Sequence, residues 1–354
     1  MSNALWNPTT VGEISLPHRL AMAPMTRNRS TPNGVPTELN AEYYAQRASQ
    51  ALIITEGTQP NADGQGYLLT PGIYSEEHIA GWRKVTDAVH KADGRIVIQL
   101  MHAGRMSHPD NTPHHRQPVA PSPVQPAGEM FTLSGPQEML VPRELSTEEV
   151  ATTVDDFRRA AAAAIAAGAD GVEIHGANGY LVHQFLATNT NQRTDRYGGS
   201  VDNRIRFVVE IATAVADEIG ASRTGLRISP GNPFNDIAES DTHDLYPALV
   251  RALAPLDLAY LHIGNHSGDD ELLHTLRKLW PNTLVLNRAG TDIATRAKDI
   301  EDGIADVVTV GTMALANPDL VERIRTGAPL NTPDPATVYG GGEAGYTDYP
   351  THIA

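Results

Sequence analysis

The sequence predicts an α/β fold, a closed (β/α)8 TIM barrel of parallel strands covered by helices. Short apolar runs recur along the 354 residues, and nearly all of them are followed by a segment with helical character. These runs are continuously apolar, which is typical of parallel strands buried on both faces. Eight such units are the number that closes this kind of barrel. A doubly wound sheet is the alternative, but no run is followed by the G-x-G-x-x-G of its dinucleotide-binding members.

The elements follow one another in a regular order. Alternation at 5–16 predicts a small hairpin ahead of the barrel. The predicted barrel strands are 19–24, 51–55, 95–100, 171–174, 225–229, 258–263, 283–287 and 306–310. The predicted helices are 40–50, 75–91, 146–168, 201–219, 243–253, 270–279, 292–302 and 318–326. Ser75 is a predicted helix cap, the segment 146–149 opens a helix, and Gly220 ends another.

One segment, 101–146, does not fit the strand–helix alternation. It is long, polar and rich in proline. A loop of this length is unusual in a compact domain unless it has a function, so we expect a cap over the barrel after the third strand. No low-complexity linker or charge run divides the chain, which predicts a single domain over 1–354 with 101–146 as a capping subdomain.

Composition excludes several classes of function. A net charge of −15, from 27 basic and 42 acidic side chains, argues against a nucleic-acid or anionic membrane partner. The absence of cysteine excludes disulfides, thiolate metal sites and cysteine nucleophiles. The N-terminal residues lack the basic start and apolar core of a signal peptide, and no apolar run approaches the ~18 residues of a membrane span. We therefore expect a soluble cytoplasmic protein, either a monomer or a homodimer.

The segment 175–196 carries the densest chemistry. His175, Asn178 and Tyr180 follow the predicted strand 171–174. Histidine and asparagine can both donate hydrogen bonds to one substrate oxygen, and a tyrosine phenol can give up a proton. Such a set polarises a carbonyl and protonates a neighbouring carbon. The alternative is an ordinary helix N-terminus whose polar side chains satisfy backbone amides.

The other strand ends carry polar groups as well, and barrel chemistry gathers at the carboxyl ends of the strands. Thr26, Gln99 and Arg227 provide hydrogen-bonding groups that suit a flat heteroaromatic ring. Glycines after the seventh and eighth strands favour a phosphate, which barrels commonly bind there. Arg227 at a buried strand end is costly unless an anion or electron-rich group answers it, the alternative being an ion pair with Glu173.

Four motifs resemble those of the old yellow enzyme family over nearly the whole chain. They are APMTR at 23–27, HGANGYLVHQFL to NQRTDRYGGSVDNR at 175–204, ANPDL at 316–320, and YGGGEAGYTDYP at 339–350. The resemblance implies an FMN-dependent ene-reductase with tightly bound, non-covalent FMN and NAD(P)H as hydride donor. Its substrates would be activated alkenes: α,β-unsaturated carbonyls, nitroalkenes or maleimides. A pathway-specific flavin-dependent isomerase or oxidase, and a flavin-free ligand-binding barrel, are the alternatives.

The resemblance also implies roles for individual residues around the cofactor. Thr26 would contact the flavin carbonyl nearest N5, Gln99 the pyrimidine edge, and Arg227 the region of N1. The other cofactor-binding residues it implies are Pro24, Met25, Gly57, Arg288, Ala289, Gly290, Gly311 and Thr312.

On the substrate side, the resemblance makes His175, Asn178 and Tyr180 the catalytic set. His175 and Asn178 would hold the carbonyl or nitro oxygen while hydride reaches the β-carbon, and Tyr180 would protonate the α-carbon. Tyr67, Met101 and Tyr339 would line the substrate pocket. Because NAD(P)H and the alkene would use one face of one flavin in turn, ping-pong kinetics are expected.

Two positions depart from the family pattern. Thr312 stands where the family usually has an arginine on the FMN phosphate, so we expect weaker FMN binding unless another cation compensates. Arg288, at the end of the seventh strand, is the replacement suggested by its position. Met101 stands where tryptophan is common, and its smaller, adaptable side chain predicts a wider pocket.

Four histidines, at positions 102, 108, 114 and 115, cluster in the capping segment. Their spacing fits no short metal-ligand motif, so no metal site is expected.

Overall fold

A computed structural model of the chain describes residues 3–352, and eight parallel strands in it form a closed barrel. The barrel strands are β1 Leu20–Met22, β2 Ile53–Ile54, β3 Ile96–Leu100, β4 Gly171–Gly176, β5 Thr224–Ile228, β6 Tyr260–Gly264, β7 Thr283–Asn287 and β8 Val307–Val310. Neighbours in the barrel are neighbours in the chain, and β8 closes on β1. The predicted TIM barrel is confirmed. Residues 1, 2, 353 and 354 of the predicted domain lie outside the described residues.

Helices alternate with these strands. They are Glu38–Ala45, Glu76–Lys91, Thr147–Ala166, Leu181–Leu186, Val201–Ile219, Thr242–Leu253, Asp270–Leu279, Ile293–Glu301, Thr312–Ala316 and Leu320–Thr326. The cap predicted at Ser75 is present, because its side chain accepts a backbone N–H of the first helical turn. The helix predicted to open at 146–149 begins at Thr147, and Ser146 caps it in the same way. The first helix begins earlier than predicted, since Thr37 and Asn40 form a capping box.

The N-terminal hairpin, Thr9–Val11 paired antiparallel with Ile14–Leu16, closes the amino-terminal end of the barrel. Its side chains Val11, Ile14 and Leu16 are buried against strand residues such as Tyr260 and Val285. Apolar burial at this end leaves the opposite end, where the strands finish, as the place for a site.

The capping segment has structure of its own. Glu129–Thr132 and Gly135–Glu138 form an antiparallel hairpin, and Val119–Ala120 pairs with Arg143–Glu144. Met130 and Met139 pack with Met101 and Tyr180 in one buried cluster. The excursion after the third strand therefore packs over the barrel beside Tyr180, and its standing as a capping subdomain of a single domain stays a prediction. In the part of the chain that the structure describes, no helix is both long and apolar enough to cross a membrane.

Candidate active site

A cavity of about 870 Å³ opens at the carboxyl ends of the strands. This volume is within the roughly 300–1,000 Å³ typical of ligand sites. Ten residues predicted for the site line it: Pro24, Met25, Thr26, Tyr180, Arg227, Ala289, Gly290, Gly311, Thr312 and Tyr339. A smaller cavity of about 380 Å³ shares Thr26, Tyr180 and Tyr339 with it and adds Tyr67. The structure thus brings side chains from β1, β4, β5, β7 and β8 to one place.

Five predicted residues, Gly57, Gln99, Met101, His175 and Asn178, are not among those that line either cavity. Of these, Met101 and His175 pack against the lining residue Tyr180. His175 is paired with Arg227 across β4 and β5, and its ring lies 5.1 Å from that of Tyr180. A sixth, Arg288, does not line either cavity, although its chain neighbours Asn287 and Ala289 line the larger one.

Arg227 is one of two buried arginines that line the larger cavity. It is 5% exposed, and its Nε has no hydrogen-bond partner among the described residues. Burial lowers the pKa of Arg227, whereas the nearby Glu173 carboxylate raises it. No ion pair joins Arg227 to Glu173 in the described part of the chain, where Glu173 contacts His262 instead. The expected alternative, in which Glu173 neutralises Arg227 directly, is therefore absent from these residues. An unpaired buried guanidinium facing a cavity calls for an anionic or electron-rich ligand.

Beneath Arg227, Glu173 anchors a buried network that orients Gln99. The Gln99 amide Nε2 donates to Glu173 Oε1 at 2.7 Å, and Glu173 Oε2 lies 2.8 Å from His262 Nδ1. The pKa of Glu173 is lowered despite its burial, because His262 and Arg227 stabilise the carboxylate. A carboxylate only accepts hydrogen bonds, so the Gln99 oxygen is left to accept one from a ligand.

His175 is neutral and has a defined tautomer. Burial, and then the charge of Arg227, lowers its pKa well below the usual value. Its Nδ1 accepts the backbone N–H of Ala177 at 3.3 Å. The proton therefore resides on Nε2, which makes this nitrogen a hydrogen-bond donor.

Asn178 is held by its neighbours in an uncommon backbone conformation. Its φ of 56° is in the left-handed region, which asparagine tolerates better than most residues. Its N–H donates to Ser229 Oγ at 2.9 Å, and its Oδ1 accepts from Asn232 Nδ2 at 2.9 Å. With the oxygen occupied, the Nδ2 of Asn178 remains to donate.

Tyr180 presents a protonated phenol to both cavities. Burial raises its pKa, and a hydrogen bond from Tyr67 lowers it in part. The two hydroxyls are 3.1 Å apart. Tyr67 has a pKa raised well above the usual value by burial and by Tyr180. Both hydroxyls therefore keep their protons at ordinary pH and lie within hydrogen-bond distance of each other.

Met101 packs on Gly57. A methyl group added at Gly57 would lie 2.4 Å from the Met101 sulfur, so a larger residue at 57 would force the Met101 side chain to move. Met101 is 3% exposed and belongs to the methionine-rich cluster around Tyr180. It therefore shapes the site from behind the lining residues, and the wider pocket expected from it stays a prediction.

The loops after β7 and β8 form the other end of the larger cavity. Gly290, with a φ of 77°, and Gly311 border it, as the sequence predicted. Arg288 does not: its Nε contacts Asp299 at 2.9 Å and its Nη1 contacts Asp270 at 2.8 Å. Arg288 is therefore not the free cation that its position suggested, because Asp270 and Asp299 already take up its charge. Arg296, from the helix between β7 and β8, lines the cavity instead.

A C-terminal segment, residues 337–346, forms the wall that carries Tyr339. Arg29 donates to the carbonyls of Thr337 and Gly342, and Arg27 donates to that of Gly345. Tyr339 is exposed over much of its surface yet lines both cavities. Two arginines from the loop after β1 therefore hold the wall above the barrel.

Sequence reasoning overlooked several lining residues: Asn287, Arg296, Phe131 and Phe234. Asn287 is the last residue of β7, so the rule that polar groups at strand ends form the site could have found it. Arg296 lies within a helix, and Phe131 and Phe234 lie in the cap and the β5 loop, where no strand end points to them. Among the described residues, no group of three or more His, Asp or Glu side chains is placed to hold a metal ion.

Comparison with known proteins places this site in a family. The chain matches the NADH:flavin oxidoreductase / NADH oxidase family over residues 4–331. It is 44% identical to a probable flavin mononucleotide-dependent alkene reductase of Leishmania infantum, covering 98% of this chain and 97% of that protein. A structure of morphinone reductase in complex with tetrahydroNAD matches with a TM-score of 0.95 at 41% identity, covering 99% and 98% of the two chains. An old yellow enzyme homologue from Zymomonas mobilis matches with a TM-score of 0.94 at 38% identity, covering 98% and 99%.

FMN suits the cavity on chemical grounds. The residues that line the larger cavity include two arginines, each with an unpartnered buried Nε, and no carboxylate among the described lining residues. A ligand with an electron-rich ring at one end and a phosphate at the other would supply hydrogen-bond acceptors to both guanidinium groups. The chain belongs to the NADH:flavin oxidoreductase / NADH oxidase family, as its resemblance to the old yellow enzymes predicted, and it is an FMN-dependent oxidoreductase.

Proposed function

We propose that this enzyme reduces activated alkenes at the expense of NAD(P)H, taking α,β-unsaturated carbonyls, nitroalkenes or maleimides. The observation that carries the proposal is the meeting of Thr26, Arg227 and Tyr180 on one cavity at the strand ends. When bound, FMN supplies the hydride that reduces the alkene β-carbon. Thr26, Gln99 and Arg227 are the residues proposed to hold its ring.

His175 and Asn178 are proposed to bind the substrate oxygen. Both side chains have their acceptor atoms occupied by protein groups, so each has a donor left over. Negative charge develops on this oxygen as the alkene is reduced, and fixed donors stabilise it without reorganising. A neutral imidazole also avoids placing a second cation beside Arg227.

Tyr180 is proposed to protonate the α-carbon. Its raised pKa keeps the proton in place at ordinary pH, and the adjacent Tyr67 hydroxyl offers a route for its return. The exposed aromatic rings of Phe131 and Phe234 border the smaller cavity, which suits an apolar substrate body.

We further propose that the chain works as a single cytoplasmic domain, monomeric or homodimeric.

Anaerobic stopped-flow spectroscopy tests the activity. We expect the purified protein to be yellow, to be bleached by NAD(P)H, and to be reoxidised by 2-cyclohexenone. Absence of flavin absorbance even after FMN addition would indicate a flavin-free binding barrel. Reduction by NAD(P)H without reoxidation by any alkene in a panel would favour an isomerase or oxidase.

Replacement of Tyr180 by phenylalanine tests the proton donor. We expect alkene reduction to slow by ~10²–10⁴-fold, the usual contribution of a positioned acid, while flavin reduction by NAD(P)H keeps its rate. The two half-reactions are measured separately in the stopped-flow instrument. The matched control is Tyr74→Phe, a half-exposed tyrosine outside both cavities. An unchanged rate of alkene reduction in Tyr180→Phe would remove the tyrosine from the mechanism.

A further inference from the structure

Arg296 occupies an unusual position for a helical arginine. It belongs to the helix Ile293–Glu301, is 4% exposed, and lines the larger cavity beside the loops after β7 and β8. Its Nη1 donates to the Thr309 carbonyl of β8 at 2.7 Å, which fixes the guanidinium against the barrel. Its Nε has no partner among the described residues. A fixed, buried and incompletely bonded cation at a cavity wall is costly unless a ligand completes its contacts.

Two carboxylates of its own helix, Asp299 and Asp292, act on Arg296 from a distance, but both are bonded elsewhere. Asp292 Oδ1 accepts the backbone N–H of Thr295 at 2.8 Å. Asp299 lies one turn along the same helix, but its Oδ2 is 2.9 Å from Arg288 Nε. Among the ion pairs of the described residues, none joins Asp299 to Arg296. Arg288 thus serves a positioning role: it takes up the charge of Asp299 and leaves that of Arg296 for the cavity.

The surroundings of Arg296 suit a phosphate. Gly290 and Gly311 allow the backbone close to a ligand, and Thr291 and Thr312 add hydroxyl groups to the same wall. Thr312 has no charge, so the anion needs its cation from elsewhere. Arg296 and Arg227 are the two cations on the described cavity wall, and Arg227 lies on β5 rather than beside these loops.

We propose that Arg296 is the phosphate-binding cation for FMN in this enzyme, taking over the charge that Thr312 lacks. The inference rests on the FMN cofactor of the proposed function but not on its alkene chemistry. It assigns to a helix between β7 and β8 a role for which the sequence suggested Arg288.

Riboflavin, which is FMN without the phosphate, provides the test. Dissociation constants for FMN and riboflavin are measured by flavin fluorescence on the flavin-stripped full-length chain and on Arg296→Met, Arg296→Lys and Arg223→Met. Arg223 is a matched control. It lies just before β5, at the opposite end of the barrel, and forms an ion pair with Glu13 there. Thermal unfolding of each variant verifies that the chain is folded.

We expect Arg296→Met to weaken FMN binding by ~10–100-fold, the value of a charged hydrogen bond, and to leave riboflavin binding unchanged. Arg296→Lys should keep part of the preference for FMN, and Arg223→Met should behave as the native chain. Equal loss of FMN and riboflavin, or unaltered FMN affinity in Arg296→Met, would overturn the proposal. Failure of the alkene chemistry would appear instead as reduced enzyme that alkenes do not reoxidise, with FMN affinity intact.

Discussion

At the scale of single residues, the chemistry depends on which atoms the protein itself has already bonded. The Nδ1 of His175 accepts from Ala177, and the Oδ1 of Asn178 accepts from Asn232. Each contact removes an acceptor and leaves a donor, so two donors are available for one oxygen. The neighbours decide this orientation, since a histidine or an amide can present either face.

Asn232 gives this idea a sharp test. In Asn232→Asp, the carboxylate can only accept, so the Asn178 amide should turn its Nδ2 toward position 232 and its oxygen toward the substrate. We expect KM for 2-cyclohexenone to rise by about tenfold in Asn232→Ala, the value of one hydrogen bond, and by more in Asn232→Asp. Steady-state kinetics at saturating FMN provide the measurement.

The control for this series is Asn282→Ala, which removes bonds to Asp257 and Leu258 at the far end of the barrel. Its kinetics should match those of the native chain. If Asn232→Asp binds the enone as well as Asn232→Ala does, then the orientation of Asn178 does not depend on Asn232.

The sequence could predict which residues reach the cavity where a side chain follows directly from a strand end. Thr26 and Arg227 were placed by the strands before or around them, and both line the cavity. Arg288 and Arg296 show the limit. Both follow β7, but the position of Asp299 in the folded helix determines which guanidinium is neutralised. Sequence spacing alone does not contain that contact.

At the scale of elements, the strands were predictable because burial on both faces leaves continuous apolar runs. Strands β1 to β8 begin and end within a few residues of their predicted bounds. The capping segment was predictable as an excursion only. Its hairpin, Glu129–Thr132 with Gly135–Glu138, exposes both charged and apolar side chains, among them Glu129 and Phe131, and was not anticipated. Its Met130 is buried through tertiary contacts that a local pattern does not encode.

The C-terminal wall offers a prediction at this scale. Arg29 donates to the carbonyls of Thr337, Gly342 and Ala344 at 2.8, 2.9 and 3.0 Å. We expect Arg29→Ala to release the wall, to speed amide hydrogen exchange across 337–345, and to raise KM for the alkene because Tyr339 loses its support. Exchange is followed by mass spectrometry on the FMN-bound protein.

Arg83→Ala is the matched control. Arg83 also donates to a backbone carbonyl of another segment, that of Ala166, but this contact lies on the outer surface. It should leave exchange in 337–345 unaltered. Unchanged exchange in Arg29→Ala would show that Arg27 and the stacked pair of Tyr43 and Tyr346 suffice to hold the wall.

At the scale of the whole molecule, buried histidines make the fold sensitive to acid. Burial lowers the pKa of His102 to about 4, and lowers those of His18, His78, His175 and His262 as well. In the unfolded chain the pKa of these groups is ~6.5. The unfolded state therefore binds more protons as the pH falls through this window, and the free energy of unfolding decreases with it.

His102 isolates one share of this effect. Each tenfold decrease in proton affinity corresponds to ~1.4 kcal/mol. With a folded-state pKa of about 4 for His102, acid can therefore lower the free energy of unfolding by up to about 3 kcal/mol, because only the unfolded chain binds this proton. Asparagine at 102 retains an acceptor for the Gly104 N–H that Nδ1 now receives at 3.1 Å. We expect urea unfolding between pH 7 and pH 4.5, at saturating FMN, to lose stability less steeply in His102→Asn. The exposed His274→Asn should keep the native slope, and a native slope in His102→Asn would place the acid sensitivity in the other buried histidines.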